Sequence, residues 1–189
     1  MTSRLLLPLA TVMLLGCHAG TQQLGAKPVP AAADGSPCQG QDPTRVVRSF
    51  YDAYIASDGS GLPSTNEMSV YAPMFSQGLV DAIERARVEQ QDFIRQHPDE
   101  KPPYIEGSLF GSLFEGITAL ESVAMKPDGA QATLAVALVY DDKQNAPVRW
   151  KDDVLLRCER GQWRIDDVEY HGGWDFAPRG RLREELESP

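Results

Sequence analysis

Among the residues of this chain, the paired aspartates most directly suggest acid–base chemistry. They form three doublets, Asp141-Asp142, Asp152-Asp153 and Asp166-Asp167. Two carboxylates share a proton or hold a cation only when their side chains meet. Neighbouring residues of a strand point to opposite faces of a sheet, so a doublet on a strand separates its own carboxylates. A working carboxylate pair would need partners from two different strands.

A hairpin around Arg160-Gly161 would supply such partners. With these as the two turn residues, the facing pairs are Cys158 and Trp163, Leu156 and Ile165, Val154 and Asp167, and Asp152 and Glu169. We therefore expect an acidic cluster of Asp152, Asp167 and Glu169 at the open end of the domain. Opposed like charges destabilise a sheet, so the cluster predicts a cation, a basic partner group or a raised pKa. Two alternatives stay open: a one-residue bulge, or arginines from residues 179–183 folding back as salt bridges.

Residues 104–116 form a second candidate site. The segment is aromatic, rich in glycine and flanked by carboxylates, and it contains the duplication Gly107-Ser108-Leu109-Phe110 and Gly111-Ser112-Leu113-Phe114. Aromatic side chains on a flexible loop with a polar rim are typical of protein-binding hot spots. The pattern predicts these partner-binding residues: Tyr104, Glu106, Phe110, Phe114 and Glu115. The alternative is a helical turn that places both phenylalanines of the duplication in the core.

The sequence contains none of the familiar catalytic or metal-binding motifs. His-Glu-x-x-His, Cys-x-x-Cys, the phosphate-binding glycine-rich loop and the Gly-x-Ser-x-Gly elbow are all absent from it. His97 and His171 have no partner at metal-ligand spacing and are interpreted as surface residues. We expect no catalytic residue, no metal ion and no cofactor.

Composition sets the class of protein. The chain has 189 residues, 42% hydrophobic and 24% charged, as expected for one globular domain with extra chain at an end. Its 27 acidic and 18 basic residues give a formal charge of −9. This sign argues against nucleic acid or anionic lipid headgroups as partners bound through basic patches.

The N-terminus has the pattern of a short secretory signal over residues 1–16. Arg4 is followed by the apolar residues 5–15 and the small residue Gly16. Leu14-Leu15-Gly16-Cys17 resembles the lipobox of bacterial lipoproteins. The resemblance implies cleavage before Cys17 and its modification with acyl chains such as palmitate. His18, in place of aspartate, implies an outer-membrane anchor facing the periplasm. A plain secreted protein, or a buried N-terminal helix with a chance cysteine, are the alternatives.

Residues 17–41 are expected to form a lipidated, flexible tether because they are rich in Gly, Ala, Pro and Gln and lack aromatic residues. Cleavage leaves 17 basic and 27 acidic residues, a charge of −10. Cys38 and Cys158 then remain in an oxidising compartment, which predicts a disulfide. The alternative is a buried, reduced Cys158 and a free Cys38. The folded domain is expected over residues 42–175, with a charged C-terminal tail over 176–189.

The elements of the domain follow from capping and periodicity. Asp42-Pro43 predicts the start of a helix that ends near Ser57, and a second helical region is predicted before His97-Pro98. Alternating apolar residues then predict four strands, with Pro127-Asp128-Gly129 as the first turn. Helices followed by an antiparallel meander predict an α+β fold, with N-terminal helices packed on a curved, cone-like sheet of about four strands.

The closing strand, residues 163–168, and this element order resemble the cone-shaped fold of nuclear transport factor two-like and cystatin-like proteins. More narrowly, Ser49-Phe50-Tyr51, residues 109–115 and the lipobox resemble the bacterial family called domain of unknown function 3828. The resemblance covers residues 43–172. It implies a fold more than a function, because these motifs carry no catalytic signature.

Two classes of function remain, with a structural envelope lipoprotein as a third. The first is a periplasmic binding protein that holds or neutralises a protein; lipoproteins resembling this one include immunity proteins against envelope-attacking toxins. Its acidic charge would steer a basic partner. The second is a small-ligand carrier or enzyme using a cavity in the cone, lined by Tyr54, Trp150, Asp152 and Asp167. The oligomeric state has no signal in the sequence.

Overall fold

The computed structural model describes Cys38, residues 40–128 and residues 131–187. The predicted signal peptide, Cys17 and nearly all of the predicted tether lie outside these residues. The described helices are α1 (Thr44–Ala56), α2 (Thr65–Tyr71), α3 (Gln77–Gln96) and α4 (Leu182–Leu186), and a 3-10 turn (Ala72–Met74) links α2 to α3. The strands are β1 (Ala119–Asp128), β2 (Gln131–Tyr140), β3 (Val148–Glu159) and β4 (Gln162–Glu169). They form a curved, open antiparallel sheet in the order β1-β2-β3-β4, which confirms the predicted α+β class.

The two predicted helices form where the capping signals place them. The Asp42 carboxylate accepts a hydrogen bond of 2.9 Å from the backbone N–H of Thr44, an otherwise unpaired donor at the start of α1. The helical period turns Val47, Phe50 and Tyr54 into the core. At the other end of the helical region, α3 stops one residue before His97, because the following proline cannot continue a helix.

Helix α2 was not predicted, although its signal is present. Ser64 and Glu67 form a capping box: the Ser64 N–H donates to the Glu67 carboxylate at 2.7 Å, and the Glu67 N–H donates to Ser64 Oγ at 3.3 Å. Helix α2 is only seven residues long, too short for a helical period to show in the sequence. Its buried face consists of Met68 and Tyr71 alone.

The inner face of the sheet alternates as predicted. Eight even-numbered residues of β2 and β3 are buried, and they are Ala132, Leu134, Val136, Leu138, Trp150, Asp152, Val154 and Leu156. Helix α1 contacts β1 and β4, and α3 contacts β4. The first turn differs from the prediction: β1 continues to Asp128, which pairs with Gln131, so Pro127 and Asp128 belong to the strand.

An aromatic cluster fills the space between the helices and the sheet. Phe50 lies at its centre, with ring centroids 5.0 Å from Phe75, 4.9 Å from Phe110 and 5.3 Å from Tyr71. Tyr54 stacks on the same ring at 5.7 Å. These distances lie in the range of favourable aromatic pairs, so the cluster joins α1, the segment before α3 and residues 104–116 into a single core.

The C-terminal segment belongs to the domain, so the predicted boundary at residues 175/176 is wrong. Arg181 forms an isolated antiparallel β-bridge with Glu169 at the free edge of β4. The Tyr170 N–H donates to the Gly180 carbonyl at 3.0 Å. Leu182 and Leu186 of α4 are buried. The segment is highly charged, so the short apolar stripe of Leu182 and Leu186 is not evident from the sequence. The segment covers the edge of β4, which would otherwise be open.

Candidate functional site

Residues 104–116 form a loop whose backbone is held by buried tyrosines. The Tyr51 hydroxyl donates to the Phe110 carbonyl at 2.9 Å, and the Tyr170 hydroxyl donates to the Leu109 carbonyl at 2.7 Å. Tyr54 shares a hydrogen bond of 3.1 Å with Ser108 Oγ. Burial raises the pKa of Tyr51 and of Tyr170 well above its usual value, which keeps both hydroxyls protonated donors. The loop is therefore a fixed part of the domain.

The predicted partner-binding residues of this loop separate into buried and exposed ones. Phe110 is 0% exposed and belongs to the aromatic cluster, so its predicted role as a partner contact is wrong and the core alternative holds for it. Phe114 is 53% exposed. Tyr104 donates its hydroxyl to the Glu185 carbonyl at 2.6 Å, and Glu106 pairs with Lys101. Glu115 is exposed beside an apolar groove described below.

Asp152 is the centre of a buried hydrogen-bond network, here called the Asp152 hub. Its carboxylate is 0% exposed and accepts from the Ser112 N–H, the Trp150 indole N–H and the His171 N–H, each at 2.8 Å. The Ser112 hydroxyl also donates to it, and this hydroxyl accepts from the Gly172 N–H at 3.0 Å. Four donated hydrogen bonds therefore satisfy this buried carboxyl group. The hub ties the 104–116 loop to β3 and to the chain after β4.

Serine, aspartate and histidine meet at this hub, but not as a nucleophilic triad. His171 contributes its backbone N–H, while its ring lies 3.4 Å from the Asp153 carboxylate on the other side of β3. A serine nucleophile needs a ring nitrogen as its base and access to substrate. Ser112 is buried and bonds directly to a carboxylate. The geometry is that of a structural support.

The predicted acidic cluster is wrong because the hairpin register shifts. Its first two pairs are confirmed: Cys158 faces Trp163 and Leu156 faces Ile165. Asp166 is then an extra residue in β4, since Leu155 pairs with Asp167 and Asp153 with Glu169. The bulge turns the Asp167 and Glu169 side chains to the face opposite Asp152.

Arginines of the C-terminal segment compensate the displaced carboxylates, as the second alternative from the sequence proposed. Arg181 lies 3.0 Å from the Glu169 carboxylate. The Arg183 backbone N–H donates to Asp167 at 3.1 Å, and its guanidinium lies 3.3 Å from Asp166. Burial raises the pKa of Asp167, opposed by these hydrogen bonds. The bulge and the folded-back arginines therefore occur together.

The four residues proposed to line a ligand cavity do not meet in one. Trp150 and Asp152 contact each other, but Tyr54 lies in the aromatic cluster and Asp167 is on the opposite face of the sheet. Among residues 40–128 and 131–187, no group of three or more His, Cys, Asp or Glu side chains is placed to hold a metal ion.

A candidate binding surface is an apolar groove of about 480 Å³ beside the hub. Three remote parts of the chain line it, and the residues are Leu113, Glu115, Tyr140, Asp142, Asn145, Ala146, Val148, Trp174 and Phe176. Phe176 is 68% exposed and Val148 38% exposed. Two large apolar side chains open to solvent in one concave surface indicate an interaction site.

The hub positions one wall of this groove. Trp150 donates to Asp152, and its ring meets Trp174 edge to face at 6.1 Å between centroids. The Trp174 ring in turn lies 6.0 Å from the Phe176 ring. The Trp174 indole N–H is buried and has no hydrogen-bond partner among the described residues. Trp174 and Phe176 are not among the residues predicted from the sequence, although two aromatic residues in the stretch after the last strand are a signal for them.

The predicted disulfide is confirmed. Cys38 and Cys158 are bonded, with 5.8 Å between their Cα atoms and a sequence separation of 120. Gln41 adds a hydrogen bond of 2.8 Å to the Gly161 carbonyl. The end of the predicted tether is thus fixed to the β3–β4 hairpin before α1 begins.

A larger, more polar recess of about 680 Å³ lies beside this attachment, between α1 and β4. Asp42, Arg45 and Arg164 line it together with Trp163. Its lining carries both negative and positive side chains, and it includes Gly40 and Gln41, where the chain enters the domain. The smaller apolar groove therefore remains the better candidate for a partner.

Comparison with known proteins gives a class rather than an activity. No protein-family model matches the chain, so membership of the domain of unknown function 3828 family stays a prediction. The chain is similar to the uncharacterized lipoprotein YbjP of Escherichia coli K12, with 27% identity over 163 residues that cover 80% of each chain. This similarity to a lipoprotein supports a membrane-anchored protein of the bacterial envelope. In the described part of the chain, the helices are too short or too polar to cross a membrane.

Two solved structures show partial likeness. One is a SEC-C motif-containing protein from Rhodopseudomonas palustris, at 14% identity and a TM-score of 0.39, covering 73% of this chain and 82% of that one. The other is a protein of unknown function from Bacteroides thetaiotaomicron, at 16% identity and a TM-score of 0.38, covering 68% of this chain and 88% of that one. The fold assignment rests on the elements described above, and the cone-fold resemblance stays a prediction.

Proposed function

We propose that this protein is an outer-membrane lipoprotein facing the periplasm that binds a protein partner through the apolar groove. The observation that carries the proposal is the groove itself, with Phe176 68% exposed at its wall. Large aromatic side chains surrounded by polar residues are typical anchors of protein interfaces. Binding rather than catalysis is the proposed activity, because Ser112 and Asp152 bond to each other and to backbone N–H groups.

The more specific form of the proposal is an immunity protein that neutralises an envelope-targeting toxin. It is supported by the lipoprotein similarity, the predicted periplasmic location and a formal charge of −9, which favours a basic enzyme as target. A lipid anchor would keep such an inhibitor at the surface where the toxin acts.

Site-directed photo-cross-linking in living cells tests the binding function. A photoreactive amino acid replaces Phe176 in the full-length chain; in the control it replaces Val88, which is 57% exposed on α3 outside the groove. We expect a defined protein adduct from position 176 alone, lost when Val148→Asp places a charge in the groove. Equal adducts from both positions, or none from position 176, would contradict the proposal.

The immunity role needs a second measurement. The partner identified by cross-linking is produced in the periplasm of a strain that lacks this lipoprotein, where we expect it to arrest growth. The wild-type lipoprotein should restore growth, whereas the Val148→Asp variant should not. A partner that is harmless without this protein would overturn the immunity role and leave the binding function intact.

A further inference from the structure

The groove has a charge pattern of its own. Its walls are apolar, and the charged residues that line it are acidic: Glu115 on the loop and Asp142 at the start of the β2–β3 connection. Neither carboxylate forms an ion pair with any described residue. The neighbouring Asp141, by contrast, is compensated by Lys143 at 2.7 Å. The rim of the groove therefore carries two uncompensated negative charges.

The Asp142 carboxylate is held in place by its own turn. It accepts from the Asn145 side chain and backbone N–H, both at 2.8 Å, and from the Gln144 N–H at 2.9 Å. These hydrogen bonds lower the pKa of Asp142, so the group is ionised at neutral pH. A fixed negative charge beside an apolar surface favours a ligand that brings an apolar group and a cation together.

The groove also contains an unused donor. The Trp174 indole N–H has no acceptor among the described residues. The neighbouring Phe176 ring lies 6.0 Å from the Trp174 ring between centroids and is 68% exposed. A backbone carbonyl of a bound segment is an acceptor of the kind that this donor lacks. A peptide segment supplies the apolar side chain, the cation and the carbonyl from consecutive residues.

We propose that the groove recognises a basic loop of the partner, in which a large apolar side chain is flanked by lysine or arginine. The apolar side chain enters between Val148 and Phe176, and the flanking cations lie against Glu115 and Asp142. This inference rests on the proposed function and specifies the chemistry of the partner segment.

Three short peptides test this chemistry directly. The probes are acetyl-Lys-Lys-Phe-Lys-Lys-amide, its glutamate counterpart and its serine counterpart, titrated into the disulfide-bonded, full-length protein. The readout is the NMR signal of the Trp174 indole N–H, assigned with Trp174→Phe. We expect a saturable shift with the lysine peptide, weakened by added salt, and binding at least about ten-fold weaker for the other two.

Matched variants separate local charge from overall charge. Glu115→Gln with Asp142→Asn should weaken the lysine peptide by about ten-fold. Asp52→Asn with Glu89→Gln removes the same charge from exposed positions of α1 and α3 and should leave its affinity within about two-fold. Equal weakening by both pairs, equal binding of all three peptides, or no saturable shift would overturn the inference.

Failure of the inference is distinguishable from failure of the proposed function. If position 176 cross-links to a specific partner but the groove binds all three peptides equally, the proposed function stands and the inference of a basic partner loop is overturned. A position-176 adduct that consists of a second copy of this chain would overturn both.

Discussion

The tetrapeptide Gly-Ser-Leu-Phe occurs twice in succession, and its two copies have opposite surroundings. In the first copy, Phe110 is 0% exposed and packs among aromatic rings; in the second, Phe114 is 53% exposed. The serines show the reverse. Ser108 is half-buried, whereas Ser112 is fully buried in the Asp152 hub. Identical local sequence therefore gives neither the same burial nor the same role.

The difference lies in the buried polar groups that hold each backbone. Tyr51 binds the carbonyl of Phe110, which directs the first phenylalanine into the core. Asp152 binds the N–H of Ser112, which directs the second serine inward and leaves Phe114 near the surface. Because leaving a buried polar group unpaired is costly, these two bonds favour the conformation of each copy.

The largest expected effect separates the two phenylalanines. Phe110→Ala should lower the free energy of unfolding by about 3–5 kcal/mol, because it leaves a cavity in the aromatic cluster. Phe114→Ala, its matched control, should change it by less than about 0.5 kcal/mol. Urea unfolding of the oxidised proteins measures both. Similar costs for the two variants would mean that the copies are not as different as their burial indicates.

The two serines should differ next. Ser112→Ala leaves the buried Gly172 N–H without an acceptor and removes one donor from Asp152, so we expect a loss of about 1–3 kcal/mol. Ser108→Ala breaks a half-buried bond to Tyr54 and should cost less than about 1 kcal/mol. The same unfolding experiment compares them, and a larger loss for Ser108→Ala would reverse the assignment of the hub.

Substitution of the first glycine of each copy, Gly107 or Gly111, tests the backbone conformation. Gly107 has φ +89°, and a Cβ there would lie 2.4 Å from the Phe114 ring. We expect Gly107→Ala to cost about 1–3 kcal/mol in thermal or urea unfolding. At Gly111 a Cβ would lie 3.0 Å from the terminal methyl group of Ile117, so Gly111→Ala should cost about 1 kcal/mol or less. Adding Phe114→Ala to Gly107→Ala removes the clash; full recovery would show that the backbone is unstrained.

The smallest expected effect concerns alkaline pH. Burial raises the pKa of Tyr51 in the folded state, so its contribution is fully present below about pH 10 and is lost as pH rises above that value. Burial likewise raises the pKa of Tyr54 to about 12. The free energy of unfolding should therefore fall above about pH 10, and less steeply in Tyr51→Phe.

At pH 7 the same Tyr51→Phe variant should lose about 0.5–1.5 kcal/mol, the value of its bond to the Phe110 carbonyl. The internal control is the change in the free energy of unfolding between pH 6 and 8, which should be the same in the variant and the wild type. If the free energy of unfolding falls as steeply above pH 10 in Tyr51→Phe as in the wild type, Tyr51 does not hold the first Gly-Ser-Leu-Phe copy.

Most of the fold was predictable because its signals are local. The Asp42 cap, the stop at His97-Pro98 and the alternation of β2 and β3 depend on residues a few positions apart. The disulfide between Cys38 and Cys158 was predicted from cysteine count and compartment. The candidate site was predicted only in part, since Glu115 was identified while Trp174 and Phe176 were not.

The sequence alone determined the α+β class, the strand order and the first two pairs of the closing hairpin, since period and turn residues act over short distances. Only the tertiary structure decided the bulge at Asp166, whose carboxylate accepts from Ser76 Oγ at 2.6 Å at the start of α3 and lies beside Arg183. It likewise decided which phenylalanine of the duplication faces inward, and it assembled the groove from three remote segments. Each of these depends on buried polar groups meeting partners far away in the chain, and local periodicity carries no information about those partners.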